Sequence, residues 1–576
     1  MQEYPTLNAI PTTRQSVETF KGYNHNMRIG NGEFFDMENL CSDFYPVLSP
    51  RGKRGILARP EAARGMISKD EFCYVDGTEF VMGDQRIEMG FDDREKELIS
   101  MGAFVIIMPD KKYINTADIT DFGDIESAFT SSGETEFYIC KADGEGYGEM
   151  TVSDTAPENP NNLEVWLDTS AVPHTLKQYS TASGTWVSVA TTYVRIAAEG
   201  IGKNFEVYDG VAISGITAAP DLNGTAVIQA KGDDYIVITG LLDEEQSQFD
   251  SIEVKRAMPA MDFITEANNR LWGCRYGTAE NGDTVNEIYA CKLGDFRNWN
   301  CFMGISTDSY AASCGTDGKF TGAVTHRGYP IFFKEGCLHK VYGNYPSNFQ
   351  IQVTECRGVQ EGCHRSLAIV NEVLYYKSRS AVCAYDGSLP VEMSTALGEE
   401  RYKNAAGGAH GNKYYISMLD SRDEPSLFVY DTAKGMWHRE DATKARQFCE
   451  HREEMLFIDD ADGSIRTVFG SGNEQEESLE WMAETGNLGM DMAEKKYISR
   501  IIIRMSLDIG SVLSIDAQYD SSGKWEHVTD IKGTSLRSFS IPVRPKRCDH
   551  FRLRFSGKGN AKIFSMVKTY EQGSDY

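Results

Sequence analysis

One pattern recurs along the chain and limits what it can fold into. Residues 367–386 read LAIVNEVLYYKSRSAVCAYD, two apolar, aromatic-rich runs around a polar turn at 377–380, closed by Asp386-Gly387. β-Branched and aromatic residues favour a pleated, half-buried surface, and a polar cluster between two such runs marks a hairpin turn. The same order of short strand, turn, apolar strand, turn and strand returns from Gly65, Ile99, Phe263, Gly322, Gly407 and Gln447. Each unit is anchored on its second strand, at Phe72, Phe104, Leu271, Ile331, Leu374, Tyr414 and Leu456, with steps of 32, 167, 60, 43, 40 and 42 residues. Steps near ~40–50 residues, each a small antiparallel sheet, are the signature of β-propeller blades. The expectation is an all-β chain built on a β-propeller of about seven blades; the alternative is a set of sandwiches made from unrelated hairpins. The 167-residue step predicts one blade-length plus a large insertion. Within 431–437, DTAKGMW resembles a kelch-type blade ending.

A chain of 576 residues is too long for one core, so two to four domains are expected. The predicted division is an N-terminal arm and lead-in strand at 1–55, blades at 56–124, an inserted β domain at 125–258, further blades at 259–470, a polar linker at 471–478 and a C-terminal β-sandwich at 479–576. Residues 1–22 are polar, with Pro5 and Pro11, and predict an extended arm ordered only by docking. Pro46 and Pro50 deny 23–55 a regular strand interior, and one strand of this lead-in is expected to join the last blade and remove its open edge. The insertion reads as strands at 136–140, 163–167, 185–190, 192–196, 226–230 and 234–239, enough for a small core of its own. The sandwich reads as strands at 501–505, 512–519, 538–543, 551–555 and 561–568. Only 93–100 and 473–484 read as helical, and 302–320, rich in Ser, Thr, Gly and Asp, reads as a loop.

The net charge of −27 favours solubility and disfavours a general grip on nucleic acid. It also suits a surface past which DNA slides. Against this background, 531–562 carries nine basic residues (Lys532, Arg537, Arg544, Lys546, Arg547, Arg552, Arg554, Lys558, Lys562) and one acid, Asp549. Three readings stand: a solvated sandwich face, a patch docking on an acidic neighbour, or a DNA contact, the last weakened by the lack of stacking aromatics. The 13 cysteines have no framework spacing, and Cys73, Cys140, Cys274, Cys291 and Cys383 sit inside apolar strands, which points to buried thiols in a reducing compartment. The N-terminus lacks the basic and apolar regions of a signal peptide, and no apolar run approaches membrane-spanning length.

No catalytic, cofactor-binding or metal-ligating residue is assigned. DSSGKW at 520–525 echoes a sialidase-type turn but lies outside the ring, and G-x-S-x-G, Walker and dinucleotide-binding glycine patterns are absent. Cys337-Leu338-His339, Cys363-His364 and Cys449-Glu450-His451 are the nearest approaches to metal ligands, without the four converging groups zinc needs. Asp459-Asp460-Ala461-Asp462-Gly463 has the acids of a calcium loop but not the register, so it reads as a hairpin turn. The expectation is a protein that is not an enzyme, although a propeller hydrolase, with carboxylates drawn from separate blades, stays open as a rival.

Several segments carry a family likeness. EFFDMENL at 33–40 with Tyr45-Pro46 and Ser49-Pro50-Arg51 resembles the opening of tailed-phage virion proteins. Leu293-Gly294-Asp295-Phe296 with Asn298-Trp299, STDSY at 306–310, Gly322 with IFFKE at 331–335, RPKRCDH at 544–550 and EQGSD at 571–575 fit the same group. The chain is similar to tail nozzle or DNA-stabilisation proteins of short-tailed phages. That resemblance implies a propeller-based structural subunit of the virion tail, made and assembled in the host cytoplasm without membrane insertion. It implies self-association into a ring, a hexamer, contacts to portal, adaptor and other tail or fibre proteins, and a channel through which viral DNA passes during genome ejection without sequence-specific binding. The alternative is a receptor- or glycan-binding tail or adhesion propeller, with Trp166 and Trp186 of the insertion as sugar platforms or, more plainly, as core residues.

Overall fold

A computed structural model describes residues 12–279, 282–472 and 474–572. Residues 1–11 of the predicted arm, Asn473 of the linker and 573–575 of the family-like ending lie outside them. Seven small sheets occupy the seven expected places: 63–88, 97–124, 263–313, 322–355, 368–392, 403–439 and a last one built from 445–475 together with Gly55–Ala58. Every predicted anchor lies in the second strand of its sheet. These are the blades of a β-propeller, interrupted by an inserted β domain and followed by a C-terminal β-sandwich. Their hairpins turn on left-handed pairs such as Asn268-Asn269, Arg327-Gly328 and Asn371-Glu372. Paired positive φ values match the twist of the flanking strands.

The chain divides into two compact units. One holds 1–96, 333–338 and 354–576; the other holds 97–332 and 339–353. In the first, neighbouring blades share apolar seams. Tyr415, Val429, Phe448 and Phe457 join the sixth to the seventh. Met66 and Phe72 pack with Leu456 and Ile465 to join the seventh to the first. In the second unit, Met101, Ile106, Leu271 and Trp299 join the second blade to the third, and Trp272, Ile288, Phe332 and Val341 join the third to the fourth.

The seventh blade is finished from the N-terminal side, by a strand that starts at the last residue of the predicted lead-in and runs into the stretch assigned to blades. Gly55–Ala58 lies between Ile465–Thr467 and Glu474–Gln475 and is antiparallel to both. A Cβ on Gly55 would lie 2.1 Å from the Ser471 carbonyl oxygen, so only glycine fits there. Beside this strand sits a buried ionic cluster. Arg54 meets Glu440 at 2.5 Å and Asp441 at 2.8 Å, and Arg51 meets Glu476 at 2.8 Å. The Arg51 Nε also donates to Asn39 Oδ1. Burial alone would push the Asp441 carboxyl up, but Arg54 and Thr443 hold it below the ordinary range.

The inserted domain occupies 127–256. Its first and last strands, Ser127–Thr130 and Glu253–Arg256, pair with each other, Ser127 opposite Arg256. Twenty-one buried residues, among them Phe137, Leu167, Val194 and Ile236, form its own core. Asp209, held within the domain by Arg256 at 2.6 Å, fastens it to the third blade by accepting from Asn298 at 3.0 Å.

In the sandwich, Lys496–Tyr519 is one 24-residue strand. Its first half pairs with Ala561–Gln572 and its second half with Phe551–Lys558, while Trp525–Pro542 follows both halves. The strand is bulged near Ile509-Gly510, so its halves serve two hydrogen-bonded arrays, and Phe551 meets Tyr570 at 6.2 Å. Thr12–Val17 and Phe34–Glu38 of the N-terminal segment add the outer strands.

Three local expectations are corrected. Residues 93–100 and 473–484 hold no helix among those described; Glu97–Met101 pairs with Phe104–Met108, and Glu480–Thr485 pairs with two sandwich strands. Strand pairing, with a hairpin neighbour in the first case and with partners distant in sequence in the second, overrode the helical reading. The supposed loop at 302–320 contains Tyr310–Ser313, the outer strand of the third blade. The strand expected at 226–230 is two, Gly224–Val227 and Ala230–Gly232, belonging to different sheets. No helix among the described residues is long and apolar enough to cross a membrane.

Two outcomes follow. Arg54→Met should cost roughly 3–5 kcal/mol, because it strands buried carboxylates, and adding Glu440→Leu should restore part of this in thermal or chemical unfolding. His438 is buried, and burial, then the Lys413 cation, press its pKa from 6.5 to about 4 against the opposing pull of Asp431 and Asp43. The unfolded chain therefore takes up the proton first, and acidification from pH 6.5 towards 4 should drain up to about 1.4 kcal/mol per pH unit. His438→Gln should flatten that part of the melting-temperature profile.

Candidate functional site: an aromatic face on the inserted domain

The segment 150–188 folds as a four-stranded sheet of Met150–Ser153, Val165–Asp168, Thr175–Ser180 and Thr185–Ser188. Strand alternation sorts its side chains. Val165, Leu167 and Leu176 enter the domain core. Register then puts Trp166 opposite Lys177, Asp168 opposite Thr175, and Tyr179 opposite Trp186, all on the other face. Three rings gather there. Trp186 stands edge-on to both neighbours, its centroid 5.4 Å from Trp166 and 5.4 Å from Tyr179.

The two tryptophans named from the sequence have different roles. Trp166 is only 5% exposed. Its indole N–H donates to the Ser153 carbonyl at 3.0 Å, and Lys177 Nζ lies 4.9 Å from its ring. It is the floor of the cluster rather than a platform. Trp186 is partly exposed and carries the accessible ring, with Tyr179, which sequence reasoning missed, beside it. The signal was present, because Tyr179 lies one hairpin turn before Trp186 at a spacing that pairs them across adjacent strands; the strand holding it was not recognised. Lys177 donates to Asp168 at 2.7 Å. That bond and the Ser170 donors hold the Asp168 carboxyl down at about 2. A hydroxylated ligand would meet an aromatic face flanked by a fixed acceptor and a cation, the mix by which polar-rimmed aromatic sites orient what they bind.

The other candidates resolve otherwise. Asp459 to Gly463 forms a hairpin turn, the Gly463 N–H donating to the Asp459 carbonyl, and DSSGKW turns the chain through Asp520 and Ser521 between the two longest strands. In DTAKGMW, the buried Asp431 accepts from Ser42 at 2.5 Å and Trp437 donates to the Met393 carbonyl. Among the described residues no group of three or more His, Cys, Asp or Glu converges as metal ligands. All thirteen cysteines are free thiols, ten of them buried.

The basic island also changes character. Arg552 and Arg554 both reach Glu484, Lys558 reaches Glu480, and Lys546 pairs with Glu526. The expected lack of aromatics is corrected, since Arg554 lies 4.0 Å from the Trp525 ring, Arg552 4.6 Å from Phe35 and Lys562 3.9 Å from Phe44. Acids and rings distant in sequence satisfy most of the cluster, which a one-dimensional charge count does not register.

No family model matches this chain. No curated protein matches it either. Solved structures do match. An exo-β-1,3-galactanase from Phanerochaete chrysosporium is 7% identical, covering 53% of this chain and 94% of its own, with a TM-score of 0.20. A glycoside hydrolase family 43 arabinoxylan arabinofuranohydrolase from Bacillus subtilis is 9% identical over the same shares, with a TM-score of 0.18. Raptor from Chaetomium thermophilum is 10% identical, covering 73% of this chain and 29% of its own, with a TM-score of 0.29. Likeness at this level hands no substrate or activity to this chain. It does correct one expectation. Several of the matching structures are glycoside hydrolases, so the want of a local catalytic motif is no ground for excluding an enzyme, and that exclusion is withdrawn.

Proposed function

We propose that the protein binds carbohydrate through the aromatic face of its inserted domain, as a glycan- or receptor-binding β-propeller protein. The observation that supports this is the partly exposed Trp186, held edge-on by the buried Trp166 and flanked by Tyr179 and the Lys177–Asp168 pair. Rigid aromatic rings offer a large contact area at small entropic cost, and the C–H faces of a sugar stack on them while its hydroxyls reach polar neighbours. The galactanase and arabinofuranohydrolase are named for acting on polysaccharides, which is compatible with this reading without deciding it.

A second reading, a ring-forming structural subunit of a phage tail, draws support from one feature. Trp525–Pro542 is an 18-residue edge strand, paired among the described residues only with Lys496–Tyr519, with Lys532, Leu536 and Arg537 exposed along it. A long open edge invites another strand. Size-exclusion chromatography with light scattering should then give a multimer, and a concentration-independent monomer would rule it out.

For the leading reading, Trp186→Ala should abolish glycan-array binding of the intact chain while leaving its melting temperature within a few degrees. Trp166→Ala should instead destabilise the inserted domain by roughly 3–5 kcal/mol. Array binding that survives Trp186→Ala unchanged would sink the carbohydrate proposal.

A further inference from the structure

A cavity of about 400 Å³ lies in the sandwich between the loop at 27–34 and the loop at 485–491, with Lys568 in its wall. Lys568 is 1% exposed. Two exposed methionines, Met27 and Met490, stand at the rim. Strand alternation explains the lysine's place. It lies on Ala561–Gln572 two residues from Met566 and from Tyr570, both buried, so the same face that fills the sandwich core turns one amine into the cavity.

The amine is poorly provided for. Nζ donates to Asn31 Oδ1 at a long 3.3 Å, and among the described residues no carboxylate forms a salt bridge with it. The two wall carboxylates are engaged by neutral donors. Glu33 accepts from the Gly30 N–H at 2.5 Å and from Asn24 at 2.9 Å. Asp491 accepts from the Tyr570 hydroxyl at 2.9 Å and from Gln15 at 3.0 Å. A buried lysine without a counter-ion is held towards its neutral form, since burial penalises the ammonium. Here burial lowers the pKa from 10.5 to about 8, with Asp491 opposing. The buried Lys496 ends on better partners, donating to the Met492 carbonyl at 2.7 Å and also reaching the Asp549 carbonyl.

We propose that Lys568 is a reactive amine at the base of a ligand site that takes small carbonyl compounds as a reversible imine. The neutral amine adds to the carbonyl carbon. The resulting carbinolamine loses the former carbonyl oxygen as water together with the two amine protons, leaving a C=N bond that water reverses. No oxidant or further reactant is needed. The cavity volume suits a molecule of a few carbons, and its polar wall suits one bearing hydroxyls or a carboxylate. Two sources share this chemistry, the open-chain aldehyde of a small sugar and an α-keto acid. The inference stands apart from the aromatic face, which lies in the other compact unit.

The test traps the imine. Full-length protein is incubated separately with D-ribose and with pyruvate in the presence of sodium cyanoborohydride, whose hydride reduces C=N to a stable secondary amine, and adducts are located by peptide mass spectrometry. At pH 7 an amine of pKa about 8 is neutral on the order of a hundredfold more often than an ordinary lysine. Adduct should therefore appear on Lys568 well before the surface lysines, with a pH midpoint near 8. Preference for ribose or for pyruvate identifies the source. Lys568→Arg should remove this adduct while circular dichroism shows the fold intact. A Lys568 left unmodified by both probes while surface lysines react, or modified with their pH dependence, would overturn the proposal. So would trapping at the same rate in protein unfolded by denaturant.

Discussion

The pairing of Gly55–Ala58 with the last blade is the constraint on which the first unit depends. It brings a strand from near the N-terminus into hydrogen bonding with strands more than four hundred residues later. Loop-closure entropy grows only slowly with length, so the separation itself is cheap once the pairing has enough enthalpy behind it. The Arg51 and Arg54 cluster supplies direction as well as energy. Both guanidiniums are buried, and the carboxylates that meet them come from the end of the sixth blade and from the linker to the sandwich. A mispaired lead-in would take both guanidiniums away from the buried Glu440 and its neighbour Asp441, and removing one side of a buried ion pair costs several kcal/mol.

The fold was legible where local chemistry decides it. The seven hairpins announce themselves because each puts a run of β-branched and aromatic residues between turn residues, and all seven anchors fall in the second strand. What was not legible rests on strand pairing rather than on local composition. Glu97–Met101 follows the charged run 92–96 and reads as the end of a short helix, yet it pairs across a hairpin with Phe104–Met108. Tyr310–Ser313 is only four residues long, sits among turn residues, and lies as a strand along the edge of Thr284–Ala290. The aromatic face was half legible. Trp166 and Trp186 stand out in any sequence, but that they share one face, the first covered and the second partly open, depends on the Tyr179 strand between them.

Charge tells a similar story. A count of nine bases in 531–562 suggests a sticky patch. In three dimensions Glu480, Glu484 and Glu526 arrive from other strands, and Trp525, Phe35 and Phe44 lie against the cations. Guanidinium groups stacked on rings while paired to carboxylates are spent on the sandwich itself. By contrast Lys568, which no sequence pattern distinguishes, lies at a cavity without a paired carboxylate. Local composition overstates the first case and is silent on the second, because both depend on which faces the long bulged strand brings together.

The entry and exit of the inserted domain have a consequence for what the scaffold can carry. Ser127 and Arg256 sit side by side as a hydrogen-bonded pair, so the polypeptide leaves the second blade and returns to almost the same spot. The blades on either side register only a short bridge, whatever lies beyond it. With a self-contained core, paired ends and a few polar ties centred on Asp209, Gly210 and Asn298, the excursion behaves as a cassette. Another self-contained domain whose first and last strands pair in the same way would fit the same place without disturbing the hydrogen bonds of the blades themselves.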